Sequence, residues 1–248
     1  MMHRIGLKAL LLLIGIIAGC NEQKKVQDDD PEKKDGIIKT YRTNGKLFSE
    51  ITMKDGKRNG ISRNFYPDEK IFVEAIYKDD QKDGLYKQFY EDGTLNKEIE
   101  YKEDRMNGLN KKFRNDGKPA WQARFSNDSP CSGLVEYYLN GNKKTEYPTI
   151  VIETVDRLKE LGEFNLNLRM SDGTATVTFY QGQLTPSGCL DKEKVREIYT
   201  PTKGKCTLEY HLAPGGFVME EIHIIAVVKT AQSNSYITTR SYNLSITN

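Results

Sequence analysis

A glycine recurs at nearly constant spacing through the first half of this chain. It stands at positions 36, 60, 84, 108 and 133, at intervals of 24, 24, 24 and 25 residues. Isoleucine or leucine follows each glycine by one position, and an aromatic residue follows it by five. Such a period is typical of repeat proteins, in which each repeat is one supersecondary unit that packs on its neighbours. The first half is therefore restricted to an elongated array.

Turn signals show what each repeat contains. Asn-Gly and Asp-Gly pairs supply the positive φ angles that tight two-residue hairpins need. Within repeats they lie at 44–45, 92–93, 116–117 and 140–141, and at the joins they lie at 59–60, 83–84 and 107–108. We therefore predict two antiparallel strands per repeat, with a hairpin turn at both kinds of site. The apolar columns fall at offsets 1, 5, 11, 15 and 17 from the glycine. Because all are odd, we expect them to share one face of the sheet.

A helical solenoid is the alternative for a repeat of this length. It would place a glycine every 9 to 15 residues, and each glycine in a helix interior costs about 1 kcal/mol. Helices that short are also marginal in water. We therefore predict an extended antiparallel meander of roughly ten short strands over residues 36–147.

The repeat disappears at Pro148, and short strands with alternating apolar and polar residues follow. Turn signals at intervals of about 10 residues favour a β-sandwich over residues 148–248, which resembles immunoglobulin-type modules. Asp191–Tyr199 is predicted to be a short helix, with Val195 and Ile198 facing inward. The predicted fold class is all-β, a meander of hairpin repeats followed by an immunoglobulin-like β-sandwich. The predicted strands are Thr149–Val155, Phe164–Met170, Thr174–Tyr180, Thr207–Leu212, Glu221–Val228 and Ser235–Ile246.

The N-terminus has the pattern of a secretory signal. Two basic residues precede the apolar run Ala9–Ile17, and small residues lead to Cys20. Residues 17–20, Ile-Ala-Gly-Cys, resemble the bacterial lipobox. That resemblance implies a signal peptide over 1–19 and lipid attachment, palmitate included, at Cys20. A transmembrane anchor is the alternative, but the run is shorter than the about 20 residues that span a bilayer.

Residues 20–35 carry many charges and almost no apolar side chains, so we predict a disordered tether. Several acyl chains give stable anchoring. The predicted location is the bacterial cell envelope, with a lipid anchor in the outer membrane and the protein on its periplasmic or outward face.

Charge and motifs restrict the function. Lys and Arg total 37 against 35 Asp and Glu, and this near neutrality argues against nucleic-acid binding. H-E-x-x-H, C-x-x-C, G-x-S-x-G and Walker motifs do not occur in the sequence. We therefore expect no metal, no cofactor and no catalytic residue. The column of Glu50, Glu74 and Glu98 could hold glycosidase carboxylates, but its recurrence beside Lys and Arg columns favours cross-strand ion pairs.

Cys189 and Cys206 lie 17 positions apart in the second half. In an oxidising compartment a disulfide between them would stabilise the fold by roughly 3 kcal/mol. Two buried thiols are the open alternative. Cys131 would then be left without a partner.

The repeats resemble a known family. The segment Gly84–Gly93, together with Glu98, Tyr101 and Asn107-Gly108, is similar to the bacterial MORN-repeat variant, which occurs in exported proteins and in the YwqK-type antitoxin family. The resemblance covers about 36–147 and implies a hairpin-repeat fold. A ladder of Tyr66, Tyr90, Tyr86 and Tyr137 is predicted either to form a contact stripe or merely to cover the sheet.

These features favour a non-catalytic, lipid-anchored envelope protein whose repeats and β-sandwich are binding or scaffold modules. Its expected partners are the membrane, through the lipid on Cys20, and a protein or glycan. An antitoxin or immunity lipoprotein that neutralises a toxin is the second hypothesis, which the YwqK-type resemblance implies. An enzyme acting on surface polysaccharide is the third.

Overall fold

The computed structural model describes residues 25–26, 35–199 and 202–248. The predicted signal peptide, Cys20 and most of the predicted tether lie outside these residues. In the first half the strands are β1 (Lys25–Val26), β2 (Gly36–Tyr41), β3 (Leu47–Lys54), β4 (Lys57–Phe65), β5 (Ile71–Lys78), β6 (Gln81–Phe89), β7 (Leu95–Lys102), β8 (Arg105–Met106), β9 (Gly108–Phe113), β10 (Pro119–Ser126), β11 (Ser129–Pro130) and β12 (Val135–Glu136). In the second half the elements are β13 (Ile150–Arg157), α1 (Leu158–Leu161), β14 (Glu163–Met170), β15 (Val177–Gln181), β16 (Arg196–Ile198), β17 (Lys205–His211), β18 (Phe217–Lys229) and β19 (Ser235–Thr247).

The first half forms one antiparallel sheet of twelve strands that follow one another in chain order, apart from the short β8 and β12. This confirms the predicted meander of hairpins. β1 lies within the segment predicted as a tether, and it pairs with β2 at the N-terminal edge of the sheet. We call this sheet the repeat sheet.

The turns within the repeats are held by a local side-chain hydrogen bond. Asn44 Oδ1 accepts from the N–H of Lys46 at 3.1 Å, and Asp92 Oδ1 accepts from the N–H of Thr94 at 2.8 Å. Glycine follows with a positive φ, as at Gly45 and Gly93. This is the Asx geometry in which Asn and Asp favour turns. The second repeat has Glu69 at the glycine position, and it adopts φ 68°.

The joins differ from the prediction. The two-residue turns there are 55–56, 79–80, 103–104 and 127–128, in which acidic residues, asparagine and one glycine take positive φ. The join glycines are not turn residues, so that prediction is wrong. Gly84, for example, lies inside β6 with φ 129°, and a Cβ on it would lie 3.1 Å from the Ile76 side chain. Glycine is needed there because a strand neighbour fills the space of a side chain.

Hydrogen bonds at both rims link each hairpin to the next. At the join rim, the N–H of Asp80 donates to the carbonyl of Arg58 at 3.0 Å, and the Asp80 carboxylate accepts from the N–H of Arg58 at 3.0 Å. The same backbone bond recurs from Asp104 to Lys82 and from Asp128 to Met106. Each join turn is thereby tied to its neighbour 22 residues away in the sequence.

The register also overturns the prediction of a single apolar face. Lys39 lies opposite Glu50, and Ile38 lies opposite Ile51. Residues opposite one another share a face, so odd offsets in the first strand of a repeat share a face with even offsets in the second. The apolar columns at offsets 1 and 15 therefore lie on opposite faces. In cross-strand pairs such as Lys39 and Glu50, one residue number is odd and the other is even. Residues with odd numbers on one strand therefore share a face with residues with even numbers on the next.

The second half forms two sheets, of strand order β13-β14-β17 and β16-β15-β18-β19. Leu166 and Leu168 from the first sheet share a buried cluster with Phe179 and Ile224 from the second. Two antiparallel sheets around one core confirm the predicted sandwich. The immunoglobulin constant type divides its seven strands into four and three; here the second sheet has the four strands.

The predicted helix over Asp191–Tyr199 is wrong. Arg196–Ile198 form β16, which pairs with β15 and places Ile198 opposite Phe179. The two apolar residues expected on one helix face pack in different clusters. Ile198 belongs to the main core, and Val195 covers the outer face of the second sheet beside Ile225. The one helix in the described residues is α1.

The disulfide joins the two halves. Cys131, after β11, is bonded to Cys189, and Cys206 is a buried free cysteine. The predicted pair Cys189–Cys206 is therefore wrong. Cys206 belongs to the main core of the sandwich, whereas Cys189 precedes Leu190, which packs on the outer face of the second sheet. The two cysteines lie on different layers, although only 17 positions separate them.

A buried glutamate reinforces the junction. Glu136, 2% exposed, accepts hydrogen bonds from Thr230 at 2.5 Å and Asn234 at 2.8 Å, both in the β18–β19 turn. Its carboxylate also lies 3.7 Å from Lys144 Nζ. These bonds satisfy a charge that burial alone would destabilise. The last repeat is thus fixed to the sandwich by a covalent bond and a polar network.

Replacing Cys131 with serine should lower the free energy of unfolding by about 4 kcal/mol, because the disulfide closes a long loop. Its sequence separation is 58 residues. Cys206→Ala is the matched control and should keep the disulfide. Urea unfolding measures the change, and mass spectrometry of alkylated, unreduced peptides identifies the pair. Native Cys206 should resist alkylation, because burial raises its pKa to about 12. A peptide linking Cys189 to Cys206 would contradict the assignment.

Candidate binding surface

One face of the repeat sheet has a row of alternating charges along its centre. We call it the charged face. Lys39 Nζ lies 2.8 Å from Glu50, Arg63 Nε lies 2.7 Å from Glu74, and Lys111 Nζ lies 2.9 Å from Glu98. These contacts confirm the predicted cross-strand ion pairs. In strand order the row is Lys39, Glu50, Arg63, Glu74, Lys87, Glu98 and Lys111.

The row places its glutamates on every second strand. Glu50 and Glu74 are therefore about 10 Å apart along the sheet, with Arg63 between them. The hydrogen bond to Glu50 raises the pKa of Lys39. The column expected to hold ion pairs thus links neighbouring strands, and each partly exposed pair contributes at most about 1 kcal/mol.

Aliphatic side chains run beside the charged row on the same face. Ile37 is 60% exposed, Ile61 is 42% exposed and Ile76 is 36% exposed. Leu85 and Leu109 continue the row with partial exposure. We call these five residues the aliphatic row. Thr52 follows Ile37 in the row, and Glu100 follows Leu85. Four of the five aliphatic residues belong to the apolar column one position after each glycine, and Ile76 lies outside the predicted columns. Their exposure was not predicted.

Aromatic side chains line the other side of the charged row. They stand two positions from a charged residue along each strand, and therefore on the same face. Each is partly exposed. They are Tyr41, Phe48, Phe65, Phe72, Phe89 and Phe113.

The opposite face carries cations stacked on tyrosine rings. The Arg58 guanidinium lies 4.2 Å from the ring centre of Tyr77, and Lys82 Nζ lies 5.0 Å from that of Tyr101. Tyr86 packs edge-on against Tyr101 at 6.1 Å, and burial raises the pKa of both phenols. The side chains of this face are thus largely engaged with one another.

The repeat sheet has no packed apolar core. Between residues 36 and 130 the fully buried side chains are all small or polar: Ser49, Ala75, Asn110, Ala120 and Ala123. Both hydrophobic clusters found in the described residues lie in the second half. The repeat sheet is therefore a single layer, and both of its faces meet solvent.

Two of the predicted contact tyrosines have a structural role. The Tyr66 hydroxyl donates to the carbonyl of Phe89 at 2.8 Å, and the Tyr90 hydroxyl donates to that of Phe113 at 3.0 Å. Arg42 and Arg114 occupy the equivalent position in other repeats. Each donates to a carbonyl 23 residues further along the chain, that of Phe65 and that of Tyr137 respectively. These bonds link successive hairpins at the rim opposite the joins. Both hydroxyls are therefore used within the sheet and not for contact with another molecule.

The histidines and the residue types that bind metals do not form a site in the described residues. The His223 ring bonds to Ser241 Oγ at 2.8 Å, and His211 is exposed. Among the described residues, acidic, histidine and cysteine side chains form no group of three or more placed to hold a metal ion. No helix in the same residues is long and apolar enough to cross a membrane. Cys20, the predicted lipid attachment residue, lies outside them.

Comparison with protein families identifies the repeats. Segments 34–55, 58–79 and 82–103 match the model of the MORN repeat variant. Their 24-residue period is the glycine period, and the matched segments cover β2 through β7 except for the first residues of β4 and β6. A search of curated proteins gives no match to the chain. Repeats of this kind indicate a repeat-based binding or scaffold module.

Removing the Tyr90 hydroxyl should weaken the link between repeats. We expect Tyr90→Phe and Tyr66→Phe each to lower the free energy of unfolding by about 1 kcal/mol, because a rim carbonyl loses its donor. Tyr138→Phe is the matched control, since that ring is 52% exposed, and it should change stability by less than about 0.5 kcal/mol. Urea unfolding of the full chain measures all three. Equal effects at positions 90 and 138 would contradict the structural role.

Proposed function

We propose that this chain is a non-catalytic, lipid-anchored protein of the bacterial cell envelope, and that its repeat sheet is the surface that contacts a partner. One observation carries the binding role. The sheet is a single layer whose charged face leaves the aliphatic row partly or largely exposed, with Ile37 at 60%. Ile61, Ile76 and Leu85 adjoin one another on β4, β5 and β6. Adjoining exposed apolar side chains are typical of interaction sites.

The chemistry of the charged face favours a protein partner. Aliphatic side chains gain by covering other apolar side chains, and the adjacent charged row can align a partner of complementary pattern. The aromatic side chains on the far side of the row add large contact area.

The sandwich supports this role by fixing one end of the repeat sheet. The Cys131–Cys189 bond and the Glu136 network hold the last repeat to it. A fixed array loses less conformational freedom when it binds. In this proposal the lipid on Cys20 holds the other end at the membrane surface, where stable anchoring needs more than one acyl chain.

Site-specific photo-crosslinking in cells tests the binding role. A photoreactive amino acid at position 61 should give a discrete adduct, and the same amino acid at position 161 should not. Leu161 is the matched control because it is an exposed aliphatic residue, 58% exposed, in α1 of the sandwich. Ile76→Lys should reduce the adduct at position 61. Failure to form an adduct at positions 37, 61 and 76 would contradict a contact role for the charged face.

Lipid anchoring is tested in the same cells. Cys20→Ser should abolish labelling by radioactive palmitate and move the protein from the membrane to the soluble fraction. Cys206→Ala controls for loss of a cysteine and should leave labelling unchanged. Palmitate labelling of Cys20→Ser at the original level would contradict attachment at that residue.

The identity of the adduct separates the remaining hypotheses. A toxin encoded beside this chain, together with protection of poisoned cells, would indicate an antitoxin or immunity lipoprotein. A structural envelope protein would indicate a scaffold. Glycan cleavage lost in Glu74→Gln and Glu98→Gln would instead indicate a polysaccharide-acting enzyme, and would overturn the non-catalytic proposal.

A further inference from the structure

The sandwich has an open side between its two sheets. β17 is the outer strand of the first sheet and β16 is the outer strand of the second. Between these two edges lies a groove of about 660 Å³. Its floor includes Ile198 of β16 and Leu208 of β17, which are both buried.

The groove lies where a related sandwich has a strand. In the immunoglobulin constant type, a further strand pairs with the edge that β17 forms here. Residues 199–204 connect β16 to β17, and Thr202 bridges Lys205 at the start of β17. Beyond Lys205, the outer edge of β17 has main-chain groups without a strand partner among the described residues.

The other side of the sandwich is closed. Arg240 of β19 donates from Nη1 to the carbonyl of Ile150 in β13 at 2.7 Å. Tyr236 stacks on Tyr147 at 4.4 Å near the same edge. The first and last strands of the sandwich are thus bridged by side chains. The edges of β16 and β17 are the pair that can accept another strand.

The groove is negatively charged. Glu197, Glu209 and Glu220 line it and are exposed, against one cation, Arg196. The Arg196 guanidinium donates to Gln181 at 2.5 Å. Burial raises the pKa of Tyr210 to about 12, so this lining phenol stays neutral. The negative charge of the groove therefore comes from the three glutamates.

We propose that the β16–β17 groove binds an extended, basic polypeptide segment of a partner protein, which adds as a strand to the edge of β17. Main-chain hydrogen bonds require an extended chain, and side chains on alternate faces supply specificity. One set of side chains faces Ile198 and Leu208 and should be apolar. The other set lies on the outer face of the first sheet beside Glu209 and should be lysine or arginine. The proposal concerns the sandwich and does not rest on binding by the repeat sheet.

A model peptide tests the proposal with the full-length protein. The peptide alternates valine with lysine, has blocked ends and matches β17 in length, at seven residues. It should bind saturably in titration calorimetry, and a peptide alternating valine with glutamate should bind at least about tenfold more weakly. Two further peptides carry methyl groups on alternate backbone nitrogens, one on the odd and one on the even positions. Only one of them should lose binding, because only one set of N–H groups faces β17.

Protein variants and hydrogen exchange locate the site. Glu209→Lys should weaken the lysine peptide about tenfold and strengthen the glutamate peptide. Glu160→Lys, an exposed charge reversal in α1, should change neither. Amides of residues 206–210 should exchange more slowly when the peptide is bound. Equal binding of both methylated peptides, protection confined to the repeat sheet, or failure to bind at millimolar peptide would each overturn the proposal.

Discussion

Backbone hydrogen bonding between successive hairpins is the interaction on which the repeat sheet depends, because the sheet has no apolar core to hold it. Each repeat is bonded to the next along its strands and again at both rims. At the join rim the Asp80 turn bonds Arg58 through both its N–H and its carboxylate. At the opposite rim the Tyr66 and Tyr90 hydroxyls reach carbonyls in the following repeat. The contacts are local, so stability accumulates repeat by repeat.

This construction determines what the molecule offers to a partner. In a layered domain the large apolar side chains are buried in the core. In the repeat sheet they remain partly exposed on both faces. On one face, cations stacked on Tyr77 and Tyr101 engage the rings within the sheet. On the other, the charged row pairs internally and leaves the aliphatic row open to solvent. The charged face is therefore the more available of the two for association.

Local signals in the sequence predicted the elements well. Asx turns and the glycine period specify the hairpins, and the strand predicted over Phe164–Met170 spans Glu163–Met170 in the structure. What depends on distant contacts could not be predicted. Val195 and Ile198 have the spacing of a helix face but belong to two clusters. The faces of the repeat sheet depend on a parity set by turns and bulges, and the cysteine pairing depends on how two sheets are layered.

The same limit applies to the candidate surface. The ion pairs of the charged row could be predicted because glutamate recurs beside basic columns in the sequence. The structure confirms these pairs. The exposure of Ile61 was not readable, since an isoleucine column is the usual sign of a buried face. Only the absence of a second layer over residues 36–130 reveals it. Burial, unlike pattern, is a property of the whole fold.

Deleting one complete repeat tests most directly whether the hairpins are equivalent units that contact only their neighbours. Removing residues 60–83 takes out one 24-residue period and brings Gly84 to the place of Gly60. The account predicts a folded protein with the Cys131–Cys189 bond, cooperative urea unfolding and an m-value reduced in proportion to the lost surface. A deletion one residue shorter should lower the m-value further, because it exchanges the two faces of the repeats before it and leaves them unpaired with the rest of the sheet. Equal m-values for the two deletions would contradict this.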